Sequence, residues 1–142
     1  SYVDAPAKDA AQPVTHVTPG VAPEVLAALV AATDQPYPSQ GHSPPDYRIQ
    51  VFVDPDALPI YRNWSADSTF PIGTRLVARH YSRIDEPAGR TDVPLYVMHL
   101  DSKGWNYGAI TQKGVGVPVA TEICRDCHKQ AATPPVFGLP NR

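Results

Sequence analysis

The sequence predicts an α+β fold: an antiparallel β-sheet of about four strands flanked by helices, the last of which lies near the C-terminus. Three observations lead there. The middle of the chain, residues 47–111, holds short alternating runs rich in β-branched and aromatic residues. The longer helix signals lie outside it, at residues 22–33 and from Thr121 onward. The 17 prolines gather at the two ends and in the connecting segments, where they separate elements. A length of 142 residues fits one domain. Residues 1–20 are expected to form a flexible N-terminal arm and residues 21–142 the domain itself.

Each element has its own reason. Residues 1–20 are rich in Ala, Pro, Asp and Thr and show no periodicity, as an arm or tether would. Over residues 22–33, Pro23 suits an early helical position and Glu24 the first turn, while Val25, Leu26, Leu29 and Val30 make an apolar stripe. Residues 34–46, with four prolines and a glycine, read as a loop. Residues 47–53 are β-rich and alternate, predicting a strand. A short helix follows Asp54, broken by Pro59. Residues 74–81 predict a second strand, with Leu76, Ala78 and His80 on one face and Arg75, Val77, Arg79 and Tyr81 on the other. Residues 95–101 and 105–111 predict a hairpin about a Lys103-Gly104 turn. Residues 114–118 read as a loop, Thr121 begins a helix, and the chain from Pro134 reads as an irregular tail.

Within that last helix lies the most informative stretch, Cys124-Arg125-Asp126-Cys127-His128. It is a Cys-x-x-Cys-His box, the attachment signal of c-type haem. Two thiols on one face of a helical turn can form thioethers to the two vinyl groups of one porphyrin. The histidine after the second cysteine then brings its imidazole beneath the iron. The chain has 2 cysteines, so attachment uses every thiol. Other readings fit less well. Structural zinc wants four ligands, usually in two spaced pairs, and no other cysteine exists. A thioredoxin-like pair opens a helix early in a βαβ unit, whereas this box lies near the C-terminus. A plain disulfide leaves His128 unexplained. The box predicts one covalent haem c, bound by Cys124, Cys127 and His128, with His128 as the proximal iron ligand.

The haem carries the rest of the setting. Attachment through two thioethers occurs on the periplasmic side of a membrane, so the chain is expected to be exported, with a signal peptide already removed. A net charge of −2 gives no reason to expect nucleic acid or an anionic membrane as partner. No apolar run approaches the roughly 20 residues of a membrane-spanning helix. Redox proteins are the expected partners.

A small electron-carrying cytochrome c is nearly all helix, with its box near the start. Here the box is near the end and β-pattern fills the middle. Phe70-Pro71-Ile72-Gly73-Thr74-Arg75-Leu76-Val77 and Gly104-Trp105-Asn106-Tyr107-Gly108, followed by the box, resemble the cytochrome P-460 and cytochrome c′-β family. The resemblance spans roughly residues 47–130. It implies an antiparallel sheet that builds a haem pocket, and an open iron that binds nitric oxide or oxidises a small nitrogen compound. Departures are visible too. Ala78-Arg79 stand where that family often has Lys-Glu, and no lysine occurs between Lys8 and Lys103. Lys103 falls in a turn and Lys113 in a loop, so neither matches the porphyrin-linked lysine of the hydroxylamine-oxidising members.

The other axial position decides the function of a histidine-held haem. Met98, the only methionine, is the first candidate, though it would equally fill core space between Tyr96 and Leu100. His99 points to the opposite strand face from Met98, and His80 shares a face with Leu76 and Ala78. A vacant site is what the resemblance implies. His16 and His42 read as solvated. Arg79, with Arg75, is a candidate partner for the haem propionates, or part of a solvated sheet face. Trp64, Trp105, Tyr107 and Phe52 read as pocket walls or ordinary core. Electron transfer by a periplasmic monohaem cytochrome is the first functional reading. The alternative is the open-iron protein of the resemblance, with Asp101 or Glu86 moving protons. A third is a haem domain serving a larger complex.

Overall fold

The computed structural model describes residues 14–39, 41–42, 47–82 and 89–140. Its scaffold is four long antiparallel strands: β4 (Arg48–Val53), β5 (Arg75–Tyr81), β6 (Leu95–Asp101) and β7 (Gly104–Ile110). All four form within a residue of where alternation predicts them. Branched and aromatic side chains pack well on a pleated, half-buried surface, and here they do so on both faces. The hairpin of β6 and β7 pairs Asp101 with Gly104, and Gly104 supplies the positive φ of 127° at the turn.

The expected α+β class with about four strands does not hold. Among the described residues the sheet has 8 strands, the additions being β1 (His16–Val17), β2 (Val30–Ala31), β3 (Tyr37–Pro38) and β8 (Gly116–Val119). The order is β1-β8-β7-β6-β5-β4-β2, with β3 also on β4. Three of the additions are two-residue strands, and β8 contains a glycine and a proline. None is long enough to show a period, so each is created by the sheet edge it meets.

The helices are correspondingly short: α1 (Pro23–Ala28), α2 (Leu58–Arg62) and α3 (Thr121–His128). The helix expected over residues 22–33 stops at Ala28 because Leu29 turns extended (ψ 149°) and Val30 pairs with Val53 on β4. Its apolar stripe still serves one core, entering it as helix and then as strand. Pro59 does not break the helix after Asp54; it sits in the first turn of α2, where its missing N–H costs nothing.

The sheet buries both faces. On one, Val51, Val53, Leu76, Met98 and Tyr107 pack with Ala57, Tyr61, Phe70 and Val136. On the other, Val77, Leu95, Val97 and Ile110 pack with Val21 and Leu29 beneath α1. The tail beyond Pro134 belongs to the first core. Val136 is only 1% exposed, the Trp64 indole N–H donates to the Thr133 carbonyl (2.9 Å), and the Tyr61 hydroxyl donates to the Gly138 carbonyl (3.1 Å).

The expected N-terminal arm is partly structural. Residues 1–13 lie outside the described residues, but β1 pairs with β8, and the Thr18 hydroxyl accepts from the Ala109 N–H (2.7 Å) and donates to the Val117 carbonyl (3.0 Å). This close approach requires glycine at 108 and 116, since a Cβ on either would collide with Thr18. No helix among the described residues is long and apolar enough to cross a membrane.

Two substitutions and one exposed control test this packing. Ile110, fully buried at 0% exposure, should cost about 2–5 kcal/mol as Ile110→Ala. Tyr61→Phe should cost about 1–3 kcal/mol by leaving the Gly138 carbonyl unpaired. Ile72→Ala, at a site 67% exposed, should stay within about 0.5 kcal/mol, all three read from denaturation midpoints.

Candidate functional site

The site is built on α3 and the first core. The eight residues of α3 hold Cys124, Cys127 and His128, with both thiols free. Cys124 packs against the core of Val51, Leu76, Met98 and Tyr107, and that burial pushes its thiol pKa up. The helix thus lies against one particular face of the sheet.

His128 is held in one orientation. Its Nδ1 lies 2.8 Å from the Pro135 carbonyl oxygen, which can only accept, so Nδ1 is the donor and, in the neutral ring, the lone pair is on Nε2. The ring meets Tyr107 at 5.2 Å and the edge of Phe137 at 5.1 Å between centroids. Arg125 extends over Tyr107, with its guanidinium carbon 5.5 Å from the ring centre.

A second histidine group stands beside it. His80, 1% exposed on β5, has its Nε2 3.1 Å from Nδ1 of His42. The edge of Tyr96 closes on His80 (5.3 Å, 82°), and His42 lies 4.8 Å from Tyr96 and 6.5 Å from His128, ring centre to ring centre. The Ser39 hydroxyl fixes the His42 backbone from both sides, accepting from its N–H (3.2 Å) and donating to its carbonyl (3.0 Å). Burial pulls the pKa of His80 down to about 4. His42 is pulled to about 4 as well, by burial first and then by the charges of His80 and His128. Both rings are neutral near pH 7, the form that binds metals. His80 Nδ1 is buried with no hydrogen-bond partner among the described residues.

His42 is therefore not solvated, contrary to expectation. Its segment, with four prolines, carries no periodicity that could reveal burial. A pairing of His42 with His80 across 38 residues leaves no mark in sequence.

The other candidates separate by face. Met98, 8% exposed, is opposite Leu76 on β5 and Tyr107 on β7, on the same face as α3. His99 alternates to the other face, near Arg75, Asp101 and Asp54. Arg79 also points away from α3: it donates to the Gln112 side-chain oxygen (2.8 Å) and lies over Phe52, with its guanidinium carbon 5.7 Å from the ring centre. Arg75 shares that face. The structure does not bring Arg79 to the Cys-x-x-Cys-His box, because the box lies across the sheet from it.

Asp101 accepts from Asn106 (2.7 Å) and the Lys103 N–H (2.8 Å), bonds that hold its carboxyl below the usual range at the hairpin end. Glu86 lies outside the described residues. His16, Lys103 and Lys113 are exposed. Trp64 stacks on Phe70 (4.8 Å, 17°), whose ring also meets Trp105 edge-on (5.7 Å, 84°). Of the aromatic residues named from sequence, Tyr107 is the one in ring contact with His128.

These residues fit a covalently held haem. The two thiols share one short helix, the following imidazole presents Nε2, and an apolar sheet face lies alongside. Among the described residues, no group of three or more His, Cys, Asp or Glu is arranged to hold a bare metal ion. A haem iron makes no such demand, since the porphyrin fills four positions and the protein one or two. Compared with protein families, curated proteins and solved structures, the chain matches none of them.

Proposed function

We propose that the chain is a monohaem c-type cytochrome that transfers electrons to and from redox partner proteins in the periplasm. The observation that carries this reading is the fixed tautomer of His128, whose Nδ1 donates to Pro135 while the adjacent helix presents two free thiols. An imidazole anchored through its other nitrogen is the usual arrangement of a histidine metal ligand, since the anchor sets ring orientation and raises basicity.

Each residue then has a role. Cys124 and Cys127 would hold the haem by thioethers, the addition of each S–H across a vinyl group placing sulfur on one carbon and hydrogen on the other with no oxidant consumed. His128 supplies the proximal nitrogen. Leu76, Met98 and Tyr107 form an apolar wall that keeps water from that side. When bound, haem supplies a reversible one-electron couple. The resemblance to the cytochrome P-460 and c′-β family belongs to this proposal, supported by the position of α3 against an antiparallel sheet.

Mass spectrometry of mature exported protein should give a mass above the 15.4 kDa polypeptide by one haem, and Cys124→Ala with Cys127→Ala should remove that increment. A bare polypeptide mass overturns the reading. The ferrous holo-protein should keep its visible spectrum under carbon monoxide; a shift on adding the gas would favour the open iron of the resemblance over electron transfer.

A further inference from the structure

The proposed haem needs a second axial ligand if it is to shuttle electrons without binding small molecules, and the sequence offers Met98, His80, His99 or none. The structure supplies another. We infer that His42 is the distal axial ligand of the haem iron, opposite His128, and that His80 is the positioning residue that holds it there. This inference rests on the haem reading above.

The first argument is spacing. An imidazole nitrogen binds a first-row metal at about 2 Å, and the ring centre lies roughly 1 Å behind it. Two imidazoles on one iron therefore stand roughly 6 Å apart, centre to centre. His42 and His128 are separated by 6.5 Å. The rings of His42 that touch their neighbours directly are closer, at 5.0 Å to His80 and 4.8 Å to Tyr96.

The second argument is protonation. A neutral imidazole that binds iron through Nε2 must carry its proton on Nδ1. His128 does so, donating to the Pro135 carbonyl. His42 Nδ1 sits 3.1 Å from His80 Nε2, so with the proton on Nδ1 it donates to a ring nitrogen and leaves its own Nε2 bare. The two rings then share one design: Nδ1 anchored by protein, Nε2 free for metal. This arrangement puts the remaining proton of His80 on Nδ1, the buried atom with no partner among the described residues. Such an orphan is costly, and it is kept because Nε2 of His80 is needed where it is.

The third argument is location. Gly41 carries the loop against the second cysteine; a Cβ there would lie 3.4 Å from Cys127 Sγ. The residue next to Gly41 is thus delivered to the haem box by its own backbone. The competing ligands are engaged elsewhere: Met98 is packed in the sheet core, and His99 faces the other side.

The experiment uses the full-length holo-protein, first weighed to establish that haem is attached, so that a failure of the haem reading is seen separately. Electron paramagnetic resonance should then show ferric iron that is low-spin with two nitrogen axial ligands. The near-infrared spectrum should lack a sulfur-to-iron band. His42→Ala should turn the iron high-spin and open it to carbon monoxide, and added imidazole should restore the low-spin spectrum. His80→Leu should keep the low-spin state but raise the midpoint potential, because His42 loses the partner that strengthens its donation. A high-spin wild-type haem, a sulfur band abolished by Met98→Leu, or a low-spin spectrum unchanged by His42→Ala would each overturn the inference. If His42→Ala yields no holo-protein, His42→Met replaces it: a sulfur-to-iron band that appears only in this variant supports the inference, and an unchanged two-nitrogen spectrum overturns it.

Discussion

The register of β4 through β7 is the constraint on which everything else depends. Side chains alternate with a period of two, so one residue of slip in any of these strands exchanges its faces. In the observed register, Val51, Leu76, Ala78, His80, Tyr96, Met98 and Tyr107 share the face that α3 packs against. The same register sends Arg79, Val77, Val97 and His99 to the face under α1. Two buried cores hold this arrangement in place, because a slip would drive Arg79 into one core and leave Leu76 in the other.

Alternation made the four long strands legible in the sequence, and with them the opposed faces of Met98 and His99. The eight-residue helix of the box was legible from its motif and begins at Thr121 as expected. What escaped was everything decided by contacts distant in sequence. Two-residue strands such as His16–Val17 have no pattern of their own and exist only because β8 offers an edge. These short edge strands are what make the fold mainly β, with 8 strands among the described residues in place of about four.

The site shows the same division. Cys124, Cys127 and His128 announce themselves by spacing, and spacing is local. For Arg79 the sequence leaves two readings open, a guanidinium suited to a propionate or a solvated sheet face; the sheet turns it toward Gln112 and Phe52. The proline-rich surroundings of His42 read as solvent-exposed loop, so nothing local marks it as buried. Ser39 fixes its backbone, and its ring is covered by His80 and Tyr96, both remote in sequence.

The C-terminal segment gives the chain an unusual kind of mutational robustness. The group that orients His128 is a main-chain oxygen, at Pro135, so no exchange of a side chain can delete it. It can only be displaced by rerouting the tail, which Trp64 and Tyr61 secure through two further main-chain oxygens, at Thr133 and Gly138. Evolution can therefore vary the tail's side chains without erasing this hydrogen bond, while a change to the indole or phenol far along the chain would reach the imidazole indirectly.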